Sequence, residues 1–392
     1  MNRTIQLLRL SYSEDDITFI QDGVRDILLS GYLTMAEKVR QFESEFADWI
    51  GCKYALGTNS GTSSLEIPLR SIGVEGKKVV CPSNTYMATP IAAVHAGAGV
   101  IFVDSQIDNL QMDPGSLEDV LERESIAAVI IVHIGGIISP HFWEIKNLCD
   151  TYGVPIIEDA AHAHGASIDG KHAGTLGLAG SFSFYPTKVL NTAEGGMVTT
   201  NDQNIYEKGI VLREHGKVDH SFNIHSEFGY NWRFSELHAL LGLQQMRIAD
   251  KILEERRAIA RWYDDLLPGV EGIRPVRIPG NIKSAYYKYI CYLDEKISRD
   301  GLKHKLKEEY GVSLTGEVYS DPCHSQPVFK QYPGKMFVCP NQSFDGTDYI
   351  SRHHVCLPLY PRLTKDEVEY VVDALKLCIG NAPAATSYEY LP

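Results

Sequence analysis

The chain of 392 residues has no surplus of basic charge: 37 Lys+Arg against 50 Asp+Glu give a formal charge of −13. General electrostatic attachment to nucleic acid or to an anionic membrane is therefore not expected, and an anionic small substrate needs a locally basic pocket. It has no Cys-x-x-C pair and no zinc-like spacing. Its eight cysteines (Cys52, Cys81, Cys149, Cys291, Cys323, Cys339, Cys356, Cys378) are scattered and read as reduced thiols of a cytoplasmic protein. It lacks long apolar runs: the stretch around Ala127 to Ile138 is interrupted by His133 and two glycines and is too short to span a bilayer. The start, MNRTIQLLRLSYSEDD, has no signal-peptide core, and its acids argue against a transit peptide. No internal repeat, low-complexity tract or heptad series is present.

What is present is an alternation of short β-branched runs with segments of helical period, the signature of a largely parallel sheet covered by helices. Strands are expected at Val79–Cys81, Val100–Val103, Ala127–Val132, Val154–Glu158, Ser181–Phe184 and Met197–Thr200. Helices are expected at Ser63–Ile72, Ala88–Ala96, Gly115–Glu122 and Phe142–Tyr152. One long helix is read from Ser235 through Leu267, stopped by Pro268-Gly269. A domain boundary inside it near Asp250 gives a unit of residues 1–250, an arm plus a large α/β domain, and a smaller α+β unit of residues 251–392. The smaller unit holds a β-rich segment at Ser284–Leu293 and helices at Arg299–Tyr310 and Lys365–Leu377. Between the last two lies a loop-rich stretch, Gly311–Tyr360, and a loose tail at Asn381–Pro392 ends the chain.

Three segments carry chemistry. The run Val154-Pro-Ile-Ile-Glu158-Asp159 ends a strand in two carboxylates, where open α/β sheets gather ligands. In Ser181-Phe-Ser-Phe-Tyr-Pro-Thr-Lys188 a lysine sits on the turn after a strand, and Gly195-Gly196 precede the next. Small residues from Gly57 through Ser64 run into a helical pattern, so close backbone approach and free N–H groups suit a phosphate. A lysine amine, a strand-end aspartate and a phosphate cradle are what pyridoxal 5′-phosphate (PLP) requires.

These motifs, in this order, resemble the DegT/DnrJ/StrS sugar aminotransferases, a family of the fold type I, aspartate-aminotransferase-like PLP enzymes. The likeness covers nearly the whole chain. It runs through Ser30-Gly-Tyr-Leu-Thr, Val39-Arg-Gln-Phe-Glu43, Thr58-Asn-Ser-Gly-Thr-Ser, Pro82-Ser-Asn-Thr-Tyr86-Met-Ala-Thr89 and Glu158-Asp-Ala-Ala-His-Ala-His-Gly-Ala166. It continues through the Lys188 segment, Leu212-Arg-Glu-His-Gly216, Gly229-Tyr-Asn-Trp-Arg-Phe-Ser-Glu-Leu237 and Leu357-Pro-Leu-Tyr360.

The resemblance implies that Lys188 forms the Schiff base and shuttles the proton, and that Asp159 pairs with the pyridinium nitrogen. It implies that Gly61, Thr62 and Ser183 hold the phosphate, that Tyr86 stacks on the ring, and that Asn231 reaches the cofactor of a neighbouring subunit, with Arg233 near that interface. A homodimer with shared active sites follows. His162 stands where the family usually has glutamine against the phenolic oxygen. His133-Ile-Gly135-Gly136 departs from the family's His-x-Tyr-Gly. Arg233, Tyr319 and His324 are candidate substrate contacts, with loop anchoring the competing role for Tyr319 and His324. No metal is expected at His162 and His164, which lack matched further ligands. The aromatic run Tyr286 to Tyr289 alternates as a strand would, so packing is its expected role.

The implied reaction moves an amino group from an amino acid, glutamate in the family, to a nucleotide-linked keto-deoxysugar. The string Thr192-Ala-Glu194-Gly-Gly resembles the branch that aminates carbon 4. The alternatives are amination at carbon 3, amination of a keto-inositol, and a silent PLP-binding regulator. Retention of Lys188 disfavours dehydration.

Overall fold

The computed structural model describes residues 4–10, 12–219, 222–337 and 342–380. The reading of residues 381–392 as a tail, and Cys339, lie outside this set; the remaining cysteines are free thiols. Seven strands of one sheet follow in chain order: β1 (Tyr54–Thr58), β2 (Lys78–Pro82), β3 (Gly99–Val103), β4 (Ile126–Val132), β5 (Ile156–Asp159), β6 (Ala179–Ser183) and β7 (Gly196–Thr200). Their spatial order is β1-β7-β6-β5-β4-β2-β3, extended past β3 by the short strand Met336–Phe337. Only β7 runs against its neighbours.

Both faces of the sheet are buried, which is why its strands read as continuous apolar runs. Because side chains alternate along a strand, Val80, Ile101, Val129 and Ile131 enter one core while Val79, Val100, Ala128 and Ile130 enter the other. The covering helices begin and end on local signals. Ser60 caps Gly61–Ser71 by accepting the Ser63 amide at 3.2 Å, and Asp113 caps Pro114–Arg123 through the Ser116 amide.

A third core gathers Tyr263, Leu306, Leu357 and Val371. It is built by the helices Ala249–Leu266, Arg299–Tyr310 and Lys365–Ile379 around a three-stranded antiparallel sheet, Ile273–Pro275, Tyr289–Leu293 and His354–Leu357. Ile5 packs in this core as well, its amide bonded to Gly311 O at 2.9 Å, so it is tied to residues some 300 positions later in the sequence.

Several expectations are corrected. The helix expected from Ser235 to Leu267 is two helices, Glu236–Met246 and Ala249–Leu266, with Ile248 (φ −125°) out of helical geometry between them. β5 begins at Ile156 and β6 at Ala179, each two residues away from the expected start, and both end one residue away from the expected end. Two helices, Glu14–Ser30 and Glu37–Ile50, and the edge strand β1 add to the expected elements. The stretch 311–360 contains the helix Asp345–His353 and the strand His354–Leu357.

Candidate active site

The carboxyl ends of β1, β2, β4, β5 and β6 open into one cavity of about 360 Å³. Gly61, Thr62, Tyr86, Asp159, His162, Ser183, Lys188 and Tyr319 all line it, together with Thr85, Thr187 and Tyr287. Residues more than 250 positions apart in sequence thus meet on one wall, at the edge where ligands of such sheets bind.

Asp159 closes β5 and is buried. Its Oδ2 accepts the Thr89 hydroxyl at 2.7 Å and its Oδ1 the Ala161 amide at 3.2 Å. Thr89 is held in turn by Thr85, 2.7 Å between hydroxyls. Among the described residues no cation lies within ion-pairing distance of Asp159. A buried carboxylate so placed gains from a cationic partner. The adjacent Glu158 points elsewhere: it takes the Gly174, Leu176 and Gly177 amides and faces His133 at 2.9 Å, which pins the turn behind the strand.

Lys188 follows β6 on a turn closed by its own amide to Tyr185 O at 2.9 Å. Burial lowers its ammonium to about 8, Asp159 opposes that shift and Lys288 adds to it. Its Nζ lies 5.0 Å from the centroid of the Tyr287 ring, and the Lys288 Nζ lies 5.2 Å from the same centroid.

Gly61 and Thr62 open the helix Gly61–Ser71, and among the described residues their amides have no hydrogen-bond partner, as the first turn of a helix dictates. A Cβ on Gly61 would stand 2.7 Å from the Cβ of Ser183, so only glycine lets the helix start approach that hydroxyl. Free amides, two hydroxyls and the positive end of the helix make an anion cradle at one end of the cavity.

His162 stacks on Tyr287 with centroids 4.0 Å apart. The Gly135 amide donates to its Nδ1 at 3.3 Å, and its Nε2 lies 3.1 Å from the Tyr319 hydroxyl. Burial, then Lys188 and Lys288, push its pKa well below the usual value, so the ring is neutral. With Nδ1 accepting, the single proton sits on Nε2 and is donated to Tyr319, which leaves the phenol's own proton free for the cavity. His164, set between Phe182 and Phe184, is pushed by burial to about 3 and does not line the cavity.

Two expected substrate contacts, Arg233 and His324, do not line the cavity, and neither does Asn231, whose expected contact is with the cofactor of a neighbouring subunit. Asn231 is exposed and its backbone carbonyl accepts from the Asn59 side-chain Nδ2. Arg233 pairs with Glu214 at 2.7 Å. His324 anchors its loop, 2.7 Å from the Ser83 hydroxyl and stacked on Phe344. Tyr287 is the residue that sequence reasoning missed: the alternating tyrosines suggested a strand, but Tyr286 has φ 47° and the strand begins only at Tyr289, which turns Tyr287 into the cavity. Thr89 ends the Pro82–Thr89 motif, where nothing local marks it as the partner of Asp159.

The arrangement fits PLP: an anion cradle for the phosphate, an unpaired buried carboxylate for a protonated ring nitrogen, and an amine of lowered pKa. Among the described residues no group of three or more His, Cys, Asp or Glu could hold a metal ion, and no described helix is long and apolar enough to cross a membrane.

Comparison with known proteins agrees with the geometry. The DegT/DnrJ/EryC1/StrS aminotransferase family matches residues 14–376. A UDP-4-amino-4-deoxy-L-arabinose–oxoglutarate aminotransferase of Shewanella sediminis is 30% identical, over 97% of this chain and 99% of its own. A dTDP-3-amino-3,4,6-trideoxy-alpha-D-glucose transaminase of Micromonospora megalomicea is 30% identical, over 91% and 94%. The crystal structure of a DegT DnrJ EryC1 StrS aminotransferase from Brucella abortus superimposes with a TM-score of 0.88 at 26% identity, covering 96% of this chain and 100% of that one.

Proposed function

Because the chain belongs to the DegT/DnrJ/EryC1/StrS family of PLP-dependent sugar aminotransferases, we propose that it carries an amino group from L-glutamate to carbon 4 of a nucleotide-linked keto-deoxysugar, with Lys188 and Asp159 as its working pair. The observation that carries this reading is the shared cavity of a buried carboxylate without a cation and a lysine whose amine is lowered to about 8.

Bound there, PLP supplies an aldehyde carbon that exchanges with amines and a protonated ring that accepts carbanionic charge. Asp159, held by Thr89 and the Ala161 amide, would pair with the ring nitrogen and hold its proton. The amides of Gly61 and Thr62 and the hydroxyls of Thr62 and Ser183 hold the phosphate. Lys188, partly the free amine near neutral pH, is both nucleophile and carrier of the transferred proton at Nζ. Tyr287 and Tyr86 wall the space, and Tyr319, aimed by His162, offers a hydroxyl proton to an oxygen in it.

Glutamate as donor is supported by the relative named for oxoglutarate, the keto acid of glutamate. Carbon 4 rests on the Glu194-Gly-Gly string, since the two named relatives differ in the carbon their names carry. We also read the protein as a cytoplasmic homodimer of chains divided near Asp250. Phe228 is 98% exposed and Leu29 75%, apolar surface of the kind that marks an interface. Asn231 and Arg233 lie on the same segment as Phe228. The test is incubation of the PLP-loaded protein with glutamate and a panel of nucleotide-linked 4-keto and 3-keto sugars and keto-inositols, scored by product mass. A 4-amino sugar with oxoglutarate is expected; an aminated inositol alone, or no product, overturns the reading.

A further inference from the structure

A second cavity, of about 270 Å³, shares Lys188 with the first and is otherwise lined by the N-terminal segment, Val189 and Asn191, the break between the two helices, the first turns of the helix Ala249–Leu266, and the Pro361–Arg362 turn. Arg9, Arg247, Lys251, Arg256 and Arg362 contribute positive charge to it, against Asp15, Asp16 and Glu255. The acids are largely engaged. Asp16 takes the Ser13 amide and hydroxyl and the Gln244 amide, and Glu255 takes the Arg362 backbone amide at 3.2 Å.

The cations are not neutralised to match. Arg9 pairs with Glu367 at 2.9 Å, but among the described residues Arg247, Lys251, Arg256 and Arg362 have no ion pair, although Arg247 lies over the Phe19 ring. Arg256 is the telling member because it is only 2% exposed. Its Nη1 bonds the carbonyls of Tyr286 at 2.9 Å and Leu359 at 3.4 Å, its Nε has no partner, and burial lowers its pKa to about 10. A buried guanidinium without a counter-charge is costly, and an anion brought to it removes that cost. A fork of N–H donors with further cations around it matches a tetrahedral oxyanion of more than one charge.

We propose that this second cavity is a binding site for a phosphate-type oxyanion. The chemistry has two sources, the diphosphate of a nucleotide-linked substrate and free phosphate or pyrophosphate acting as an effector. The site itself stands independently of the transaminase reading.

The test is calorimetric titration of the PLP-loaded protein with sodium pyrophosphate, inorganic phosphate and UDP at fixed ionic strength. Because Arg256 substitutions endanger folding, the variants are Lys251→Gln and Arg362→Gln, both at exposed positions, with Tyr319→Phe in the first cavity as control. Saturable pyrophosphate binding is expected, weakened about tenfold by either variant, as befits loss of a charge-assisted bond, and unaltered in Tyr319→Phe. Displacement of pyrophosphate by UDP assigns the site to the substrate's diphosphate; binding that UDP does not displace assigns it to a free ion. Absence of saturable binding, or binding untouched by both charge variants, overturns the proposal.

Discussion

His162 and Tyr319, more than 150 positions apart in sequence, meet at 3.1 Å between Nε2 and the phenolic oxygen. The Gly135 amide on Nδ1 dictates that the histidine donates and the tyrosine accepts. Replacing Tyr319 by Phe leaves a buried N–H without an acceptor, a loss of about 1–3 kcal/mol. Urea denaturation of the cofactor-free protein should show it, and steady-state kinetics should show a weakened step where the phenol faces substrate. Unchanged stability would mean that the ring nitrogen finds another partner.

Lys188 is lowered to about 8, first by burial and then with help from Lys288. In the unfolded chain a lysine titrates near ~10.4. Between these values the unfolded state binds more protons, so the Lys188 contribution to stability rises with pH through that window and is unfavourable below it. The cofactor-free Lys188→Met variant should therefore melt above the parent at pH 7, the gap closing as pH approaches 10. Uptake of PLP, which needs the free amine, should quicken as pH rises through about 8, and Lys288→Met should move that limb upward. Thermal melts and absorbance-monitored uptake across pH check both signs.

Gly61→Ala would push a methyl group to within 2.7 Å of the Ser183 Cβ. Relief of such overpacking costs about 1–3 kcal/mol and opens the anion cradle, so PLP affinity should fall while the amine of Lys188 stays reactive. Titration of the cofactor-free variant with PLP measures the loss. Ser183→Gly in the same background should restore part of the lost stability in urea denaturation by removing the obstructing atom, but not the PLP affinity, since it also removes a phosphate hydroxyl.

The sheet and the meeting of Asp159 and Lys188 in one cavity were readable because buried strands and strand-end charges leave a local mark. Val79 to Cys81, Asp159 and Lys188 each announce themselves within a few residues. What was not readable depends on pairing across distance. β1 is an edge strand whose apolar residues resemble those of any short loop, and its register exists only against β7. The break at Ile248 leaves the helical period nearly intact on both sides, so nothing local reports it. Tyr287 enters the cavity because Tyr286 adopts a positive φ, a conformation that tyrosine does not advertise.

Phe228 is almost wholly exposed, and on the homodimer reading a neighbouring subunit covers it. If this surface joins two subunits, Phe228→Asp should shift sedimentation from dimer to monomer. Activity should drop with it if Asn231 serves the neighbouring site. A wild-type chain that sediments as a monomer at working concentration would contradict the shared-site account.

The central claim, that Lys188 is the amine to which PLP attaches, is tested most directly by borohydride reduction of the PLP-loaded protein followed by peptide mass mapping. The account predicts one phosphopyridoxyl group per chain, on the peptide containing Lys188. A label on Lys288 or any other lysine, or no fixed cofactor at all, would contradict it.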